Sequence, residues 1–168
     1  EQRRKSDMEF EILQAQINPH FLYNTLDSIK WLAVIQNVNN ISEMTTSLIN
    51  LLKYNISKNN PTVRLEEEIE SVENYAKIQK FRYGNMFEIK YEVSEEARKC
   101  RVLKLILQPI VENAIFHGFE SIEDKGVIHI QARVDDASNL VILVSDNGTG
   151  MDMENLNNIF SLENTKRK

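Results

Sequence analysis

The chain has 168 residues, 42% of them hydrophobic and 27% charged, which excludes a disordered tail and allows one medium domain, or a small domain with a helical extension. Against 20 Lys and Arg stand 25 Asp and Glu, a formal charge of −5, so direct nucleic-acid binding, which needs a basic surface, is not expected. The single cysteine, Cys100, excludes an intrachain disulfide and suits a reducing cytosol, while no apolar run approaches the roughly 20 residues of a membrane span.

The charged opening EQRRKSDMEFEIL lacks the apolar stretch of a signal peptide, and without an initiator Met the chain is expected to be a piece of a longer one. Phe10, Leu13 and Ile17 step by three and four, as do Leu22, Leu26, Ile29 and Ala33. Pro19 lies between the two series. It has no N–H and clashes with the carbonyl four residues earlier, so one long helix with a kink at Pro19 is expected. The polar cluster QNVNN at 36–40 reads as a turn, and Ile41, Met44, Leu48 and Leu51 mark a second amphipathic helix. Two such helices cannot bury their stripes alone; an antiparallel hairpin that dimerises into a four-helix bundle is the economical solution.

After a loop at SKNNP (57–61), Leu65, Ile69, Val72 and Ala76 define a third helix that should stop near Gly84. There the period changes to two: Phe87, Ile89, Tyr91 and Val93 alternate as a half-buried strand. The run 103–117 reads as a mostly apolar helix ending at Gly118. Ile128, Ile130, Ala132 and Val134 alternate as a second strand, and the continuous apolar run 140–144 predicts a central strand leading into SDNGTGM. The fold class expected is α+β, with helices and antiparallel strands layered in the second half.

Three places carry chemistry. His20 lies in QINPHFLYNTL; a neutral imidazole nitrogen can attack phosphorus and hold the phosphoryl group as a phosphoramidate, and Asn24 follows one helical turn later on the same face. In LQPIVENAIFHGF, Glu112, Asn113 and His117 are polar positions on an apolar helix, and an Asn carbonyl is a hard ligand suited to Mg²⁺. In SDNGTGM, Asp146 can accept from the exocyclic amine of adenine, while Gly148 and Gly150 permit close approach. Taken singly, each has a plainer reading: a helix histidine at a kink, a solvated helix edge, and an Asn-Gly hairpin turn.

In this order the three motifs resemble the sensor histidine kinases with a GHKL-type ATPase domain, nearest the LytS/YesM-like subfamily and its YesM-type branch, over essentially the whole chain. The resemblance implies a dimerisation and phosphotransfer hairpin at 1–60 and an ATP-binding domain of the GHKL (Bergerat) two-layer type at 61–168, cut short before the second glycine box. It implies ATP and Mg²⁺ as cofactors and His20 as the autophosphorylated histidine. Asn24 corresponds to a residue that in related kinases helps position water for dephosphorylating a partner. Asn113 corresponds to the metal ligand of the asparagine box, with His117 beside it; Asp146 corresponds to the adenine-binding acid, and Gly148 and Gly150 to the first glycine box. Glu112 is the candidate general base by position, because Phe21, not an acid, follows His20. Phe116 stands where a Lys often precedes the His-Gly pair, and Tyr75, Gln79 and Arg82 match a helix pattern of the subfamily.

The implied partners are a second copy of the chain, an upstream membrane sensor in the same polypeptide, and the receiver domain of a response regulator, commonly one with AraC-type DNA-binding output. The implied location is the cytoplasmic side of a bacterial cell membrane. Two alternatives stand beside the kinase: a GHKL ATPase without phosphohistidine, which would not require the paired helices around His20, and a non-catalytic dimeric scaffold, which Phe116 favours.

Overall fold

The computed structural model describes residues 19–56, 61–119 and 124–150. The expected helix before Pro19, the loop residues 57–60 and the polar C-terminal segment lie outside these. The chain divides into two compact units. One takes in the residues up to Pro61 together with Glu73–Arg82, and the other takes in Thr62–Val72 and the residues from Tyr83 onward.

The first unit contains α1 (Pro19–Ile35) and α2 (Asn39–Ile56), packed on each other. Pro19 is the first described residue of α1, so the expected kink there lies at the edge of the described residues. The turn is shorter than QNVNN. Asn37 adopts φ 57°, a left-handed value that asparagine tolerates, and this reverses the chain quickly enough for Asn39 and Asn40 to enter α2. Two helices bury one seam and leave their outer apolar positions on the surface. α1 buries only Ala33, whereas Trp31 is 60% and Ile35 72% exposed. α2 buries Thr45, Ser47, Ile49 and Leu51, and the expected stripe members Ile41 and Met44 stay open.

α3 (Leu65–Tyr83) contributes to both units. Glu66, Glu67 and Glu68 fill its first turn, where carboxylates suit the positive end of the helix, and Gly84 (φ 64°) ends it as expected. In the second unit, two short strands precede and follow the helical segments: β1 (Thr62–Arg64) pairs antiparallel with β3 (Arg101–Leu103), clamped by the Arg101 guanidinium on the Thr62 carbonyl at 2.6 Å. Neither strand is visible in the sequence pattern. β2 (Phe87–Val93), β4 (Gly126–Val134) and β5 (Leu140–Asp146) form a sheet in the order β2-β4-β5. β2 runs parallel to β4, not antiparallel as expected, because a crossover through α4 (Glu95–Lys99), β3 and α5 (Gln108–Asn113) returns the chain in the same direction.

The central strand is β4. Ile128, Ile130 and Ala132 alternate on its buried face. Among the described residues β5 pairs with β4 alone, and its Val141 and Leu143 are exposed. Leu65, Val72, Leu107 and Val111 are also fully buried in this unit, while the elements that pack on β4 are α4 and the turn at Ala114–Gly118. No helix of the described residues is long and apolar enough to cross a membrane.

Candidate functional site

In the first unit, His20 and Asn24 lie exposed on the first turns of α1, with Asn24 Nδ2 3.2 Å from His20 Nδ1. Side chains four apart on a helix share a face, so this contact follows from local geometry alone.

In the second unit, the expected helix over 103–117 is in fact three segments. Leu103 closes β3, Leu105 takes φ 62° in a turn, and α5 begins only at Gln108, with Pro109 in its first turn. The helix then widens into a π turn over Ala114–Gly118, where the Ala114 N–H reaches both the Ile110 and Val111 carbonyls. Asn113 immediately precedes this widening, His117 lies within it, and both are exposed. Glu112 is half-buried, and its Oε1 accepts a 2.8 Å hydrogen bond from Gln108 Nε2. Phe116 packs edge-on to Tyr83 (centroids 6.3 Å apart, 77° between planes) and lines an apolar hollow of about 410 Å³ with Phe87 and Phe119. That hollow contains none of the polar candidates.

The end of the π turn meets the end of β5. Asp146 Oδ1 accepts from the Gly148 N–H at 2.9 Å, and the Thr149 N–H donates to the Gly118 carbonyl at 3.0 Å. A Cβ on Gly148 would stand 2.6 Å from the Gly118 oxygen and 2.8 Å from Asp146 Oδ1, so only glycine fits. Gly150 has φ 72°, a backbone that side chains resist. The Asn-Gly pair is therefore no hairpin turn. Asn147 hooks back onto β4, its Oδ1 accepting from Val127 N–H at 2.7 Å and its Nδ2 donating to the Lys125 carbonyl at 3.1 Å.

This junction is a cradle of backbone and one carboxylate, open to solvent at Asp146 and Gly150. It suits a flat base that donates a hydrogen bond. No cluster of three or more His, Cys, Asp or Glu that could chelate a metal occurs among the described residues. The exposed Asn113 amide offers one hard oxygen of the kind that Mg²⁺, which keeps most of its waters, accepts.

Sequence reasoning missed three residues that shape these sites. Gly118, taken only as a helix end, touches the Asp146 loop. Gln108 faces Glu112 at the i,i+4 spacing that could have revealed it. Glu68 lies on the same face of α3 as Leu65 and Val72, and a lone acid on an apolar stripe was the available signal.

The family model for histidine kinases matches residues 8–87, and the model described as histidine kinase-, DNA gyrase B-, and HSP90-like ATPase matches residues 99–168. The sensor histidine kinase YesM of Bacillus subtilis (strain 168) is 42% identical over 146 residues, covering 87% of this chain and 25% of that protein. The sensor protein kinase HptS of Staphylococcus aureus (strain USA300) is 36% identical over 156 residues, 92% of this chain and 29% of that protein. The chain thus spans between a quarter and a third of the length of these curated relatives. Among solved structures, the histidine kinase domain of the Erythrobacter litoralis EL346 blue-light activated histidine kinase aligns over 81% of this chain and 74% of that one, with 14% identity and a TM-score of 0.45.

Proposed function

The chain belongs to the histidine kinases, with a histidine kinase region followed by a GHKL-type ATPase region, and from this premise we propose that it is the cytoplasmic core of a two-component sensor kinase. Residues 1–60 act as the dimerisation and phosphotransfer hairpin and 61–168 as the ATP-binding domain. The observation that carries the reading is the close approach of Gly148, where only glycine fits, to Gly118 and the Asp146 carboxylate, at the motif where an adenine-binding acid and first glycine box are expected.

In this reading Asp146 accepts from the adenine amine and Gly148 with Gly150 leaves room for the base. Asn113 would hold Mg²⁺, with His117 near the phosphates. The bound ion supplies charge neutralisation on the phosphate oxygens. A His20 imidazole nitrogen attacks the γ-phosphorus; the N–P bond forms as the bond to the β,γ-bridging oxygen breaks, and ADP leaves. Glu112, oriented by Gln108, takes the imidazole proton. The phosphoryl group then passes to an aspartate of a receiver domain, of the AraC-output type. Trp31, Leu32 and Ile35, exposed on α1, suit burial against a second copy as a four-helix bundle. The upstream part of the same polypeptide is a membrane sensor.

Incubation of the complete kinase with γ-labelled ATP and Mg²⁺ tests the reading. Acid-labile, base-stable label should map to His20 and vanish in His20→Gln. Undiminished label in that variant would refute it. A second reading, a dimeric scaffold without catalysis, draws on Phe116, which rests against Tyr83 where a phosphate-pairing Lys is usual. Failure of the complete, folded dimer to bind nucleotide would establish the scaffold instead.

A further inference from the structure

Glu68 is a carboxylate on the apolar face of α3, only 1% exposed, between the core residues Leu65 and Val72. Burying an ionised acid is unfavourable unless its oxygens are matched by donors. Here they are: Oε1 accepts the Leu105 N–H at 2.5 Å and Oε2 accepts the Leu107 N–H at 3.1 Å. Lys104, whose ammonium is pushed below its ordinary range by burial and partly restored by Glu68, adds opposite charge beside it.

The two amides bracket the start of α5. Leu105 holds a left-handed φ of 62°, a conformation that a leucine keeps only where its surroundings impose it. Leu107 is the N-cap residue of α5 and has no polar side chain with which to cap, so the helix receives its capping acceptor from a distant element. The position at which α5 begins sets the height and azimuth of Glu112 and Asn113, one to two turns later.

We propose that Glu68 is a positioning residue for the metal-phosphate side of the nucleotide site, acting through the 105–107 turn on the placement of Asn113. The inference rests on the kinase reading above. Asp146, on β5, is not held by this carboxylate, so the two halves of the site separate experimentally. Glu68→Gln keeps the shape but offers one acceptor and turns an NH₂ toward the other amide. In the complete kinase this variant should lose most of the affinity that Mg²⁺ adds to ATP binding, on the order of tenfold. Its Mg²⁺-free affinity for ADP should stay within about twofold of the parent. A merely structural role would lower both equally, and that outcome, or unchanged affinity in both, overturns the proposal.

Amide exchange in the parent kinase provides a second measurement that needs no variant. By linkage, Mg²⁺ with ADP should slow exchange at Leu105 and Leu107. Unaltered exchange there, with nucleotide bound, overturns the inference while leaving the kinase reading intact. A parent kinase that binds no nucleotide overturns both.

Discussion

Asn24 Nδ2 lies 3.2 Å from His20 Nδ1, so the amide of one residue governs the proton of the other. An asparagine turned one way donates to Nδ1 and places the ring proton on Nε2; turned the other way it accepts from Nδ1–H and leaves the lone pair on Nε2. Asn24→Asp can only accept when ionised and so fixes the second arrangement. Labelled Asn24→Asp kinase should carry its phosphoryl group on Nε2, with an initial rate at least that of the parent. Asn24→Leu should be slower by about tenfold. Equal rates for all three forms would separate the asparagine from the transfer step.

The two glycines of the Asp146 junction should respond differently to the same added methyl. On Gly148 it would strike the Gly118 backbone at 2.6 and 2.7 Å, which cannot give way as a flexible side chain does. On Gly118 the nearest atom is Asp146 Oδ1 at 3.4 Å, an ordinary contact. Gly148→Ala should weaken nucleotide binding by roughly 1–3 kcal/mol through displaced backbone, whereas Gly118→Ala should stay within about 0.5 kcal/mol. Titration with a fluorescent ATP analogue distinguishes them, and equal losses would contradict the asymmetry.

Gln108 presents a different kind of constraint. Its Nε2 donates to Glu112 at 2.8 Å, while its own Oε1 is buried without a hydrogen-bond partner. Gln108→Leu removes the donor and that unpaired oxygen together. The variant should bind ATP with near-parental KM and show a kcat reduced by about tenfold, the cost of losing a hydrogen bond to a charged group. A parental kcat would remove Glu112 from the transfer step.

Asp135 governs the turn between β4 and β5. Its carboxylate accepts from the Asn139 N–H at 2.7 Å and the Ala137 N–H at 3.0 Å, while Asn139 Nδ2 reaches the other oxygen at 3.2 Å. The backbone bond from Asn139 leads in holding this group below its ordinary 3.8, followed by the Asn139 side chain. A carboxyl depressed in the folded state contributes stability above the unfolded value, and loses it as pH falls through the lower, folded one. The difference in Tm between the parent and Asp135→Asn should therefore be largest near neutral pH and close below 3.8. A difference that is flat across that window would show that the carboxylate charge is immaterial to the turn.

These elements divide according to the range over which their causes act. β2 is legible because Phe87, Ile89, Tyr91 and Val93 announce their own alternation. α3 is legible from its stripe and from Gly84. The His20–Asn24 contact follows from spacing on one helix. The apolar run at 103–117 is not legible, because leucines and isoleucines serve a strand end, a turn and a helix equally well. The segment is divided by a carboxylate 37 to 39 residues earlier. β1 and β3, three residues each, are too short to show a period. The parallel pairing of β2 with β4 leaves no mark in either strand's alternation, since both directions bury the same face. Gly118 was misjudged for a related reason: a glycine at a helix end has a sufficient local explanation, which concealed its contact with Gly148.

The parallel register has a kinetic meaning as well. Gln131 meets Glu92 across 39 residues of chain, whereas β4 and β5 are joined by a tight turn at Asp135. Closing a short hairpin is fast, and closing a long crossover carries a larger entropic barrier. The hairpin bearing Asp146 and Gly148 is therefore expected to assemble first, and Gly118, carried within the crossover, to arrive when β2 docks. On that order the cradle is completed from two halves, and the contact of Gly118 with Gly148 would report the joining of β2 to the β4–β5 hairpin.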